Sequence, residues 1–246
     1  MATTMAEHST TSTAVETVAG ADVRRVQPAL VRLRQVERLV FAMSVAIPAV
    51  SVAFLIAARW PQYWMWINFE DTPMTSLEVG VMYTAALVAA ACGTVHHVVD
   101  SDRFAARWWW LLGAAFLYLG LDDRFALHER VRDHLLAPAG LRIPGLPIAP
   151  GDFILLMYAF AGLVMVWKGR SLWQARAATR FWFVAGVAVS AVAVLMDAYD
   201  IHLLSIPAQR LEQTLEEICE LIGQTCFLLG AWAALGHAAR DALSRS

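Results

Sequence analysis

Polar and apolar positions fall into long blocks along this chain rather than alternating residue by residue. Six apolar blocks stand out, at 39–58, 79–95, 108–121, 153–167, 181–196 and 221–235. The first carries no charge over its whole length, and about 20 such residues form a helix long enough to cross about 30 Å of hydrocarbon. Blocks of this length are too long for strands. The pattern therefore predicts an all-α fold, an integral-membrane bundle of six transmembrane helices. The first block exceeds a signal-peptide core and has no small-x-small cleavage site after it, so it is expected to be retained.

The segments between blocks set the expected organisation. Residues 1–21 are rich in Thr, Ser and Ala without periodicity and read as a disordered tail. Arg24, Arg25, Arg32, Arg34 and Arg38 then interleave with Leu30, Leu33 and Val36, the pattern of a basic interfacial helix. The expected division is thus a tail and interfacial segment at 1–36, the bundle at 37–240 and a short tail at 241–246. Pro48 is expected to kink the first helix. Trp60, Tyr63, Trp64, Trp66 and Phe69 make an aromatic belt beyond it. The second helix should open near Ser76, and a Pro/Gly-rich loop over 130–151 should lead to an N-cap at Asp152. No internal repeat of the transporter kind is visible.

Composition sharpens the class. With 59% hydrophobic and only 16% charged residues, the chain is too apolar for an ordinary soluble domain. Cys92, Cys219 and Cys226 lie in or beside apolar runs without a Cys-x-x-Cys, so they read as buried hydrophobes. No basic stripe with interleaved aromatics exists outside the helix flanks, which argues against nucleic-acid binding. Lys168, the single lysine, flanks a helix, which excludes a retinal-type Schiff base. His96-His97 reads as a surface pair. If both termini lie on the cytoplasmic face of a bacterial inner membrane, thirteen of the nineteen Lys and Arg fall on that face. The acids do the reverse: fourteen of twenty-one fall outside.

Those acids carry the candidate chemistry. The uncharged part of the third block spans about 21 Å as a helix, too little for the bilayer, so its outer turns must include Asp122 and Asp123. The fifth block reaches Asp197 and Asp200 by the same argument, with His202 beyond. Four helices thus bring ionisable groups to one depth, the outer third of the membrane, where acids must face the bundle interior and share a cation, a proton or water. If 119–130 is one helix, Asp122 and Glu129 lie on one line, with Asp123 and His128 flanking it. On the last helix Gln213, Glu216, Glu217, Glu220 and Gln224 form a polar stripe about 100° wide. Asp133, Asp152 and Glu212 lie just beyond the blocks and are expected to be solvated.

A carboxylate-rich set with few histidines suits a hard divalent metal ion, Fe, Mn, Zn or Ca. The expected metal set is Glu78, Asp122, Glu129, Asp197, Asp200, His202, Glu217 and Glu220. His128, Asp123 and Glu216 are expected to serve as acid–base groups. The Glu-x-x-His pairs of di-iron bundles are absent. Asp-Asp-x4-His-Glu at 122–129, followed by Glu-Glu-x2-Glu-x2-Gly at 216–223, resembles a pattern in a family of bacterial polytopic membrane proteins. That resemblance implies no activity. The expected function is a metal-dependent membrane enzyme acting on a lipid or other apolar substrate, with hydrolysis ahead of oxidation. The alternatives are a proton- or cation-coupled transporter, and a non-catalytic subunit of a membrane complex. The expected partners are the lipid bilayer, an apolar substrate, and a second copy or a larger assembly.

Overall fold

The computed structural model describes residues 7–69, 71–140, 153–173, 176–197 and 204–245. Eight helices carry them: α1 (Glu7–Ala58), α2 (Pro73–Val98), α3 (Arg103–Phe125), α4 (Leu127–Val131), α5 (Phe153–Lys168), α6 (Arg170–Trp173), α7 (Ala177–Asp197) and α8 (Ile206–Arg245). A 3-10 turn at Tyr63–Trp66 and a π turn at Arg132–Leu136 join them, and no strand occurs among the described residues. The protein is all-helical.

Among the described residues, five helices are long and apolar enough to cross a membrane: residues 27–58 of α1, then α2, α3, α7 and α8. The predicted fourth span, α5, has only 16 residues, about 24 Å of helix, and falls short of that length. The helix starts follow from local chemistry. Thr72 caps α2 through the backbone N–H of Thr75, with Pro73 in the first turn where its missing N–H costs nothing. The helix thus opens earlier than the expected Ser76. Asp102 caps α3, accepting from the N–H groups of Phe104 and Ala105 at 3.0 Å each. α1 runs on through Pro28 and Pro48, and its backbone is already helical at Glu7.

The packing centre is the α2–α8 pair: α3 lies along α2, α7 lies along α8, and α1 joins α8 and α2. α5 rests loosely on α7. Trp109, Phe183, Met74, Met82, Leu229 and Cys92 are fully enclosed, with Trp109–Phe183 and Phe183–Phe227 ring centroids each 6.1 Å apart. Small residues allow the close approach. A Cβ on Gly223 would lie 2.5 Å from Ser190 Oγ, and one on Gly113 would lie 3.0 Å from the carbonyl of Ala86. In a bilayer this fit replaces the hydrophobic drive between helices. Leu39, Val50 and Phe54 on α1, Met157 and Phe160 on α5, and Leu195 on α7 point outward, an apolar surface compatible with lipid.

The two ends of the bundle are tied differently. At one end α8 meets its neighbours by ion pairs: Arg240 with Glu37, Arg176 with Asp241, and Arg245 with Asp100 at 2.5 Å. At the other, Asn68 donates to the Arg210 carbonyl and accepts from Thr214, both at 2.8 Å. The Arg210 guanidinium lies 3.9 Å above the Trp64 ring, and Arg124 pairs with Asp71. The candidate site lies beneath this second end.

Candidate functional site

α2 and α8 build the centre of the site. Glu78 stands in the second turn of α2, and Glu217 and Glu220 stand three apart on α8, so the latter two share a face. Their carboxylates approach within 4.8 Å of one another. Glu78 is only 2% exposed. It is in hydrogen-bond contact with Glu217, while its Oε1 is buried without a partner. Carboxyl groups this close hold a proton or a cation between them, because two bare negative charges repel strongly away from water.

Gln224, one turn beyond Glu220, donates from Nε2 to Asp123 Oδ2 at 3.2 Å. That bond brings Asp123 to the edge of the cluster, where Glu78 feels its charge. Gln224 is 9% exposed, and its Oε1 is buried without a partner. The sequence placed Gln224 on the polar stripe but assigned it no role, since an amide is a weaker signal than a carboxylate.

Asp122 is directed elsewhere. The expected continuous helix over 119–130 is broken at Ala126, whose φ and ψ are both 47°, the left-handed region. An L-residue adopts that geometry at a cost of about 1–2 kcal/mol. The break ends the collinearity of Asp122 with Glu129. It turns His128 back so that its backbone N–H donates to Asp122 Oδ1 at 2.8 Å and its Nδ1 lies 2.9 Å from Asp122 Oδ2. Asp122 is 2% exposed. Both its oxygens are therefore engaged by one histidine, and Glu129 pairs with Arg132 at 3.1 Å. A turn change that a helix-period argument cannot see thus separates Asp122 from Glu129.

Burial by itself lowers the pKa of His128. The hydrogen bond and charge of Asp122, with Glu129 and Asp197 behind it, outweigh that effect and hold the imidazole above its ordinary value. Asp122 orients the ring through Nδ1, so Nε2 is the ring nitrogen that Asp122 does not engage.

Asp197, the last residue of α7, lies within electrostatic reach of His128, Glu212 and Glu216. Glu216 in turn is within reach of Glu217 and Glu220. Electrostatic contact thus links the buried cluster to the His128 pair by way of Glu216 and Asp197. Asp200 and His202 lie outside the described residues, as does Asp152. Asp133 is exposed as expected, and its hydrogen bond from Arg132 holds its carboxyl below the usual range. Glu212 departs from expectation: both its carboxylate oxygens are buried without a partner. The reason is that α8 begins at Ile206, so Glu212 lies beyond its first turn, within electrostatic reach of Asp197, rather than at a solvated helix opening.

No curated protein and no solved structure matches the chain. A family model does match, over residues 69–235, a stretch that contains Glu78, the Asp122–His128 pair, Glu217, Glu220 and Gln224 but leaves out α1. On the strength of that match, which covers most of the chain, the protein belongs to the family described as Domain of unknown function (DUF8692).

Proposed function

We propose that this is a bacterial inner-membrane protein whose Glu78, Glu217 and Glu220 hold a divalent cation near the outer membrane face. In this reading it is an enzyme that acts on a lipid or other apolar substrate. The observation that carries the reading is Glu78: a carboxylate 2% exposed, with one oxygen unpartnered, facing two further carboxylates within 4.8 Å. Leaving a buried acceptor unpaired costs about 1–3 kcal/mol, more for a charged group, and a cation among the three carboxylates removes that cost at Glu78.

A cation so placed supplies a Lewis acid, and His128 supplies the base. With Nδ1 fixed to Asp122, neutral His128 presents a lone pair at Nε2 and can take a proton from water. Asp197, within electrostatic reach of both His128 and Glu216, is suited with Glu216 to pass that proton on. Hydrolysis is favoured over oxidation because the described acids offer proton transfer without an imidazole ligand in the cluster. The substrate reaches the site from the bilayer, and α5, held only loosely, serves as a sixth span beside that path. Both termini face the cytoplasm in this arrangement. The electrostatic link from Glu217 through Glu216 to Asp197 supports cation or proton passage as the second reading.

Elemental analysis of the purified protein tests the proposal. About one divalent ion per chain is expected in wild type, with loss of that ion in Glu217→Gln and Glu220→Gln. Wild type without any ion after dialysis against divalent salts would end it. Cation flux into proteoliposomes, with no hydrolysis of bilayer lipid, would favour the second reading.

A further inference from the structure

We propose that Gln224 supplies a neutral oxygen ligand to the cation held by Glu78, Glu217 and Glu220, and that the resulting oxygen cage suits Ca2+. This rests on the cation reading above and extends it to a fourth ligand and an ion class. Gln224 follows Glu220 by four residues and Glu217 by seven, so all three side chains leave the same face of α8. Its amide orientation is set by the bond from Nε2 to Asp123 Oδ2 at 3.2 Å. Reversing the amide would put its oxygen against a carboxylate oxygen. The carbonyl end, Oε1, is therefore the free end, and it is buried with no donor in reach.

The same is true of Glu78 Oε1 on the facing helix. Two buried acceptors without donors, on adjacent helices, are suited to an electropositive occupant. A fourth carboxylate would add charge to a site that already carries three Glu side chains. An amide adds an oxygen without charge.

The donor set selects the ion. No histidine or cysteine belongs to the cluster among the described residues, and Nδ1 of His128 is committed to Asp122. Zinc prefers four ligands drawn from nitrogen and sulfur, with carboxylate oxygens in part. Ca2+ takes 6–8 oxygens, often with bidentate carboxylates and amide carbonyls. Three carboxylates and one amide meet that demand, whereas four-coordinate zinc can be satisfied by the carboxylates and a water without Gln224.

The test is isothermal titration of chelator-treated, full-length protein in detergent with CaCl2 and separately with ZnCl2. Gln224→Leu should weaken Ca2+ binding at least tenfold while moving Zn2+ binding by less than about twofold. The melting temperature of each metal-free variant shows that it folds. Equal Ca2+ affinity in wild type and Gln224→Leu would overturn the proposal and leave the cation site standing. Wild type that binds neither ion, with Glu217→Gln indistinguishable from it, defeats the underlying cation reading instead.

Discussion

At the scale of single residues, two buried acids on neighbouring helices have different partners, and their variants should differ accordingly. Glu78 lacks a donor for Oε1; Asp122 has two, both from His128. Chelator should lower the melting temperature of wild type, because an ion bound only to the folded state stabilises it by mass action. Glu217→Gln should melt at one temperature with or without chelator. Asp122→Asn should leave the ion bound and instead move the titration of His128, followed by NMR, down toward about 6.5 or below. The stability difference between wild type and Asp122→Asn also has a defined pH dependence. A pKa raised on folding means that the pair stabilises fully below the unfolded value of about 6.5, and that this is lost as pH rises through the folded value. Melting curves across that range should converge at the alkaline end. A gap that widens with pH would contradict the direction read from the pair.

At the scale of elements, breaks and contacts between helices matter more than helix propensity. Ala126 pays a left-handed backbone cost of about 1–2 kcal/mol to turn His128 toward Asp122. Ala126→Gly should relieve it and, after the extra entropy of a glycine in the unfolded chain of about 0.5–1 kcal/mol, raise stability by up to about 1 kcal/mol. Unfolding in mixed micelles measures the change. Between α7 and α8, Gly223→Ala sets a Cβ 2.5 Å from Ser190 Oγ and 3.3 Å from its backbone N. Overpacking of this kind costs about 1–3 kcal/mol, and adding Ser190→Gly should recover most of it. Full stability in the single variant would mean that α7 and α8 pack less closely than described.

For the whole molecule, the two ends differ in chemistry, and the difference predicts topology. Arg176, Arg240 and Arg245 with their acids hold one end; Arg210, Asn68 and the aromatic turn close the other, above the acidic cluster. With the cytoplasm on the arginine-rich side, a cysteine placed at Ala139 should react with an impermeant thiol reagent in intact cells. One placed at Ser171 should not. Both positions are exposed. The native cysteines, Cys92, Cys219 and Cys226, are replaced beforehand. Labelling at Ser171 with protection at Ala139 would invert the orientation.

The long apolar helices, the helical architecture and the gathering of acids toward one end of the bundle are legible in the amino-acid sequence, because each follows from length, hydrophobicity and helical period, which are local properties. The stripe from Glu217 to Gln224 is visible for the same reason. Which acids meet is not local. Glu78 is an isolated acid at the start of an apolar block, and its convergence with Glu217 and Glu220 depends on α2 packing along α8. The Asp122–Glu129 line fails because one residue, Ala126, leaves the helical region, and hydrophobic period carries no signal of that turn. Glu212 reads as solvated until α8 is seen to start earlier and to bring it within electrostatic reach of Asp197. Local pattern determines which helices form and where along each helix an acid lies; the order in which those helices pack, set by glycine contacts and buried rings, decides which acids share a site.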